Sequence, residues 1–410
     1  MIKSNAYHIM AKPTGSICNL DCQYCFYLEK EKLYPGKNNW VMPEGTLRLF
    51  IKNYIESQNV PSVNFTWQGG EPTLLGVDYF RKVIELQNEY SGGKEIMNAF
   101  QTNAVLLNDE WCELFKENIF LIGVSIDGPP ELHDRYRYFK GKQSSFDKVI
   151  ASIELLKKHK VEFNTLTCVQ GDNSYQPLKV YKFLKEIGSK YMQFIPIVER
   201  EVDIASDSEL NLISPNSKQQ IEVANWSVKP LQYGKFLAQI FNEWVRNDVG
   251  EYFVQLFEVT LESWVGMKPG LCIFGETCGT AMALEHNGDL YSCDHYVYPE
   301  NKLGNIVEDG LRKLVDSAKQ IKFGNDKRDT LPKYCKQCEF KFACNGECPK
   351  HRFIKTPDGE EGLNYLCAGY KYFFNYVDSY MRFMAIELRN NRPVKNVMSF
   401  AKEFVAKTSI

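Results

Sequence analysis

The sequence lacks any long apolar run. Its most hydrophobic short stretch, Ile119–Ile126, already contains Gly123 and Ser125 and is far shorter than the roughly 20 residues that a bilayer crossing needs. An excess of one charge is also missing: 49 Lys and Arg stand against 51 Asp and Glu, leaving −2. Nucleic acid and anionic membrane are therefore not expected as partners. No apolar stretch follows Lys3, so no secretory signal is expected and the predicted location is cytoplasmic. There is no internal repeat and no low-complexity tract.

What the chain does have is cysteine, 13 of them. In a reducing compartment so many thiols argue against disulfides and for metal. Their grouping then carries the information. The length, 410 residues, exceeds what one core usually fills and suggests two domains.

The first part alternates β-rich runs with helical patterns. Strands are predicted at Tyr7–Lys12, Val63–Gln68, Ile96–Thr102, Leu121–Ile126, Glu162–Val169 and Tyr191–Ile197. Between them, Leu47, Phe50, Ile51, Tyr54 and Ile55 share one helical face, as do Phe146, Val149, Ile150 and Ile153. Phe80, Val83, Ile84 and Gln87 form a weaker face, and Val180, Tyr181, Leu184 and Ile187 another. Such alternation implies an α/β fold with a parallel sheet and right-handed crossovers. Six units make either a partial barrel or a flat doubly wound sheet, with chemistry at the carboxyl ends of the strands. The polar stretch from Glu201 to Lys229 reads as a long connection or lid. From Cys272 to Cys367 helical periodicity fades and eight cysteines appear among turns. The expected domains are residues 1–230, a helical connection 231–270, a cysteine-rich domain 271–375 and a helical tail 376–410.

Cys18, Cys22 and Cys25 form a C-x3-C-x2-C just after the first strand. Three thiolates on one loop hold three irons of a 4Fe–4S cluster and leave the fourth open to a ligand. The alternative is a zinc loop completed by a distant residue. In the second region the spacing runs Cys272-x5-Cys278-x14-Cys293, then Cys335-x2-Cys338-x5-Cys344-x3-Cys348-x18-Cys367. Eight thiols make two closed four-cysteine sites, for iron–sulfur clusters or for zinc. Iron is preferred if the triplet does redox chemistry, because zinc offers electrons no route. Cys112 and Cys168, in a predicted helix and strand, read as core residues.

These residues resemble the radical S-adenosylmethionine superfamily, through the triplet with Tyr24 before its last cysteine and through Gly69-Gly70-Glu71-Pro72 after the second strand. Gln101-Thr102-Asn103 and Ser125-Ile126-Asp127-Gly128-Pro129 extend the likeness, with Ala104 standing where relatives carry glycine. The second region resembles the SPASM extension of anaerobic sulfatase-maturating enzymes, and the likeness runs from about Tyr7 to Tyr380. It implies a partial (β/α)6 radical SAM barrel followed by a SPASM domain.

The resemblance further implies S-adenosylmethionine and three 4Fe–4S clusters, one catalytic and two auxiliary. Tyr24, Gly69, Gly70, Glu71, Ser125, Arg137 and Ile195 are the implied cofactor contacts, and Gln68 the implied substrate contact. Tyr24 is an alternative neighbour of the peptide. Carried over, the first auxiliary cluster takes Cys272, Cys278, Cys293 and Cys348, and the second Cys335, Cys338, Cys344 and Cys367. The family oxidises a cysteine or serine of an unfolded or nascent sulfatase to Cα-formylglycine, with an electron donor such as flavodoxin or ferredoxin. Asp294, directly after Cys293, matches its base; His295 is the neighbouring alternative, taken as a supporting residue. Maturation of another peptide competes, but such enzymes often carry an N-terminal recognition domain, for which Cys18 leaves no room. A non-enzymatic metal scaffold is the remaining alternative, disfavoured by the open triplet.

Overall fold

A computed structural model describes residues 6–36, 40–201, 210–217 and 222–403. Six parallel strands carry the first half: β1 (His8–Lys12), β2 (Ser62–Trp67), β3 (Glu95–Thr102), β4 (Leu121–Ser125), β5 (Phe163–Val169) and β6 (Tyr191–Pro196). Each agrees with its sequence expectation to within a residue at either end. They lie side by side in chain order, and the sheet order is linear, so the array stays open.

The intervening helices form where the apolar spacing places them. Helix Glu44–Ser57 buries Leu47, Phe50, Ile51, Tyr54 and Ile55, the whole expected face. Helix Phe146–Lys158 buries Val149, Ser152, Ile153 and Leu156, with Phe146 and Ile150 at its margin. Helix Val77–Tyr90 turns Gln87 inward, which burial alone would penalise. The cost is met by a reciprocal amide pair: Gln87 Nε2 donates to Asn98 Oδ1 and Asn98 Nδ2 to Gln87 Oε1, both at 2.9 Å.

The sheet does not stop at the expected domain boundary. After β7 (Phe253–Val254), which pairs parallel with β6, the chain returns to the other side of the array. There β8 (Ala281–Glu285) runs parallel beside β1, with Lys12 opposite Glu285. The antiparallel strands β9 (Asp289–Tyr291) and β10 (Lys302–Asn305) complete a ten-stranded sheet. The cysteine-rich region is thus hydrogen-bonded to the first strand, although its cysteine segments themselves are short helices and turns.

Helix Cys367–Arg389 crosses the expected boundary at 375 without a break and lies along helix Pro230–Asn247. Two glycines permit the approach: a Cβ on Gly369 would sit 2.0 Å from the Pro230 carbonyl, and one on Gly234 2.2 Å from that of Gly369. No helix of the described residues is long and apolar enough to cross a membrane.

Of the connection expected at 201–229, residues 202–209 and 218–221 lie outside the described residues. Its described part is tied down at both ends of the site. The Glu29 carboxylate accepts the amides of Asn211 (2.6 Å) and Leu212 (2.9 Å). Ser214 donates to Glu300, and Asn216 Nδ2 to Asn301 Oδ1 at 2.8 Å.

Candidate active site and cysteine centres

The loop after β1 carries Cys18, Cys22 and Cys25, and the turn after β2 supports it. Gly70 N donates to Gly15 O at 2.7 Å and Glu71 N to Ile17 O at 2.9 Å. A Cβ on Gly70 would fall 2.0 Å from the Ile17 carbonyl, so no side chain fits there. Gly69 has φ +139 and would bring a Cβ within 2.9 Å of Gly15 O. The double glycine is therefore a backbone seat for the cysteine loop. Gly70→Ala is expected to push that loop away, with about four fewer irons bound per chain and no S-adenosylmethionine cleavage; iron analysis and nucleoside chromatography check it.

Glu71 behaves differently from its neighbours. Its carboxylate is fully buried and accepts from Thr73 N (3.0 Å), Thr73 Oγ1 (2.6 Å), Thr102 Oγ1 (2.7 Å) and Asn103 N (2.7 Å). A carboxylate has about four acceptor positions, and these bonds occupy the side chain in bracing the ends of β2 and β3. Only the backbone of this turn is left to meet a ligand. Asn103 then turns back to the cysteine loop, its Nδ2 2.8 Å from Asn19 Oδ1 and 3.6 Å from Cys18 Sγ. Ala104 takes φ +66, a left-handed conformation that costs alanine more than it would cost glycine.

The opposite wall converges on Asp127, which the sequence reading quoted without giving it a role. Asp127 is fully buried, accepts from the Tyr24 hydroxyl and from Cys168 N at 2.9 Å, and forms an ion pair with the Arg137 guanidinium, Nε at 3.3 Å. Asp127 thereby orients two of the expected cofactor contacts, Tyr24 and Arg137. Ser125 ends β4, buried, and Ile195 lies opposite Cys168 in the β5–β6 register. Tyr24 also packs with Tyr136, Ile197, Ala224 and Trp226. Cys112 is a core residue as expected, but Cys168 is not: it borders Cys22 in the Tyr24 cluster, facing the site. In strands covered on both faces, pattern does not reveal which side a residue points to.

Burial pushes the Cys18 thiol up to about 12, the Glu71 carboxylate adding to the effect. Cys22 and Cys25 are raised by burial too, with Arg137 opposing. Cys25 raises both of the others, so the three thiols share one electrostatic neighbourhood. A cleft of about 440 Å³ opens beside Cys22 and Cys25, lined also by Gln23, Glu29, Tyr138, Lys142 and Leu212.

On the remaining side stands Asp294, at the start of the 3-10 turn Asp294–Tyr296 after β9. It forms an ion pair with Lys12, the last residue of β1. Burial raises the Asp294 carboxyl, but Lys12 leads the groups that outweigh it, and the net direction is down. Lys12 Nζ also donates to Gln68 Oε1 at 3.2 Å, and Gln68 Nε2 to Gln101 Oε1 at 2.9 Å. Asp294, Lys12, Gln68 and Gln101 thus form one chain across the ends of β1, β2 and β3. The His295 ring packs edge-on against Phe26 at 5.4 Å, and burial with Lys350 nearby lowers it to about 3. It stays neutral behind Asp294.

The eight remaining cysteines sort into two neighbourhoods. Burial raises Cys293, and Cys348 and Cys272 add to it; Cys272 likewise raises Cys278 and Cys348. Separately, burial raises Cys344 and Cys367, and Cys367 and Cys335 act on the first, Cys335 and Cys338 on the second. Among the described residues no three such side chains converge on a single-ion site. Between Cys344 and Cys348 three successive residues are left-handed, Asn345 (φ 46), Gly346 (φ 72) and Glu347 (φ 50). Arg352 holds this reversal by donating to the carbonyls of Gly346 (2.8 Å), Asn345 (2.9 Å) and Glu347 (3.0 Å). The reversal sends two cysteines only four positions apart into different groups. The soft thiolate donors that all three groups offer suit iron–sulfur clusters.

Fold and site together define a radical SAM enzyme with a SPASM domain. The Radical SAM superfamily matches residues 13–184, and the SPASM iron-sulfur cluster-binding domain residues 272–339; Cys344, Cys348 and Cys367 lie beyond that match. The chain belongs to the anaerobic sulfatase-maturating enzymes. It is 49% identical to the serine-type enzyme of Bacteroides thetaiotaomicron, over 97% of this chain and 95% of that one. With the cysteine-type enzyme of Clostridium perfringens it shares 33%, over 90% and 95%. The solved structure of native anSMEcpe with bound AdoMet and Cp18Cys peptide superposes with a TM-score of 0.82 at 32% identity, covering 94% of this chain and 100% of that one.

Proposed function

We propose that this enzyme oxidises a serine or cysteine of a sulfatase polypeptide to Cα-formylglycine, with Asp294 as the base. The observation that carries the reading is the placement of Asp294, next to the ligand candidate Cys293 and ion-paired to the residue that ends β1. Cys18, Cys22 and Cys25 hold the catalytic cluster, and the two groups of four hold the auxiliary ones, paired as the resemblance implies. Bound there, S-adenosylmethionine and the clusters would supply radical hydrogen abstraction and a sink for the second electron. The backbone of Gly69, Gly70 and Glu71, with Tyr24, Ser125, Arg137 and Ile195, holds S-adenosylmethionine. Arg137 offers its carboxylate a planar fork, steadied from behind by Asp127.

Asp294 would take the proton from the hydroxyl or thiol as the second electron leaves, giving the aldehyde from serine and from cysteine a thioaldehyde that water hydrolyses with loss of hydrogen sulfide, and Gln68 faces the peptide. The cleft beside Cys22 and Cys25 admits an unfolded or nascent segment. A cytoplasmic flavodoxin or ferredoxin fits the need for a low-potential electron donor. The relative sharing 49% identity is named serine-type, which makes serine the first residue to test. Anaerobic incubation with sulfatase-derived peptides, one carrying serine and one cysteine at the target, should yield the aldehyde by mass spectrometry. Abundant 5′-deoxyadenosine with no aldehyde on either peptide would remove the sulfatase assignment.

A further inference from the structure

β1 ends on a buried cation that the sequence reading passed over. Lys12 is 1% exposed, a costly place for an ammonium unless each of its three donors is met. Here they are met. Nζ pairs with Asp294, donates to Gln68 Oε1 at 3.2 Å and lies 3.6 Å from the centre of the Tyr27 ring. Tyr27 is fixed in turn, its hydroxyl donating to Glu285, the residue opposite Lys12 across the β1–β8 pair. Lys350, the other nearby cation acting on Asp294, is committed to Glu199.

We propose that Lys12 is a positioning residue for the oxidation, holding the Asp294 carboxylate in register with the Gln68 amide across the seam between β1 and β8. Asp294 and Gln68 come from distant parts of the chain and touch the same ammonium. A base works only within hydrogen-bond reach of its proton, and small displacements are costly. With Lys12 in place, the base and the amide that faces the peptide move as one unit. Without the ammonium, Asp294 is free to turn toward water and Gln68 loses the partner of its carbonyl.

This inference rests on Asp294 being the base, and the test separates the two claims. Wild type, Lys12→Met, Asp294→Asn and the double variant are compared in reconstituted, full-length form for iron, 5′-deoxyadenosine and aldehyde. Lys12→Met should keep its iron and its nucleoside formation while aldehyde falls at least about tenfold. The double variant should yield no less aldehyde than Asp294→Asn alone, because residues acting as a unit are not additive. Lys12→Arg should give an aldehyde-to-nucleoside ratio between those of wild type and Lys12→Met. Near-normal aldehyde from Lys12→Met overturns the proposal, as does a loss that adds in full to that of Asp294→Asn, or loss of auxiliary iron. If Lys12→Met does not fold, Lys12→Arg decides: a wild-type ratio overturns the proposal and a lowered one supports it. Normal aldehyde from Asp294→Asn sinks the assignment of the base instead.

Discussion

With Cys18, Cys22 and Cys25 all replaced by alanine, the protein should form no 5′-deoxyadenosine above background. It should still hold about eight of the roughly twelve irons that the three proposed four-iron clusters would bring to the wild type. The reason lies in what supports the loop. Its seat on the neighbouring turn is made of backbone bonds, from Gly70 N to Gly15 O and from Glu71 N to Ile17 O. The thiols accept only weak bonds, such as that from Leu20 N to Cys18 Sγ at 3.4 Å. Removing them leaves the scaffold in place and takes away only the ligands. The second region keeps its own anchors, among them Lys327 Nζ donating to Cys272 O at 2.5 Å and Ile273 O at 2.7 Å. Iron analysis with chromatography of the nucleoside decides the matter. Continued nucleoside formation would place the catalytic cluster elsewhere, and two zincs with only four irons in the wild type would overturn the auxiliary clusters.

Asp294→Asn is expected to separate cofactor cleavage from product. The amide keeps the shape of the carboxylate but cannot take a proton, so aldehyde should fall roughly a hundredfold or more. Iron content and S-adenosylmethionine cleavage should persist, since neither uses this side chain. Deuterium from a Cβ-labelled peptide should still reach 5′-deoxyadenosine if abstraction precedes the blocked step. The substitution leaves Lys12 without its counter-charge in a buried place, which costs on the order of 3–5 kcal/mol; thermal unfolding under the assay conditions will show whether the fold tolerates it. Near-normal aldehyde would remove Asp294 from the role. His295, its neighbour in sequence, would then be the next residue to test. Loss of auxiliary iron in the same variant would reduce Asp294 to a residue that shapes the cysteine loop.

The strands and the cysteine loops were legible because both are local. A β-rich run bounded by turns, or three cysteines in eight positions, can be read without knowing what lies opposite. What stayed hidden depends on partners distant in sequence. Nothing around Lys12 announces that it meets Asp294, and Glu71 looks like a ligand contact until Thr102 and Asn103 arrive to occupy it. Asp127 gave no signal of its own, since its meaning comes from Tyr24 on one side and Arg137 on the other. Parallel strands covered on both faces lack the alternation that would have turned Cys168 toward the site. The sheet and the helix that run across positions 270 and 375 were not legible, because a composition change marks where cysteines start and not where hydrogen bonds end.

The pairing of β1 with β8 also sets a timetable. During synthesis the first strand emerges early and finds β2 soon after, but its other edge has no partner until Ala281–Glu285 leaves the ribosome. At about 5–20 residues per second this interval is on the order of tens of seconds, in which the edge of β1 is open to pairing with other chains. In the same interval the Cys18–Cys25 loop already has its seat on Gly70, while Asp294 has yet to be made.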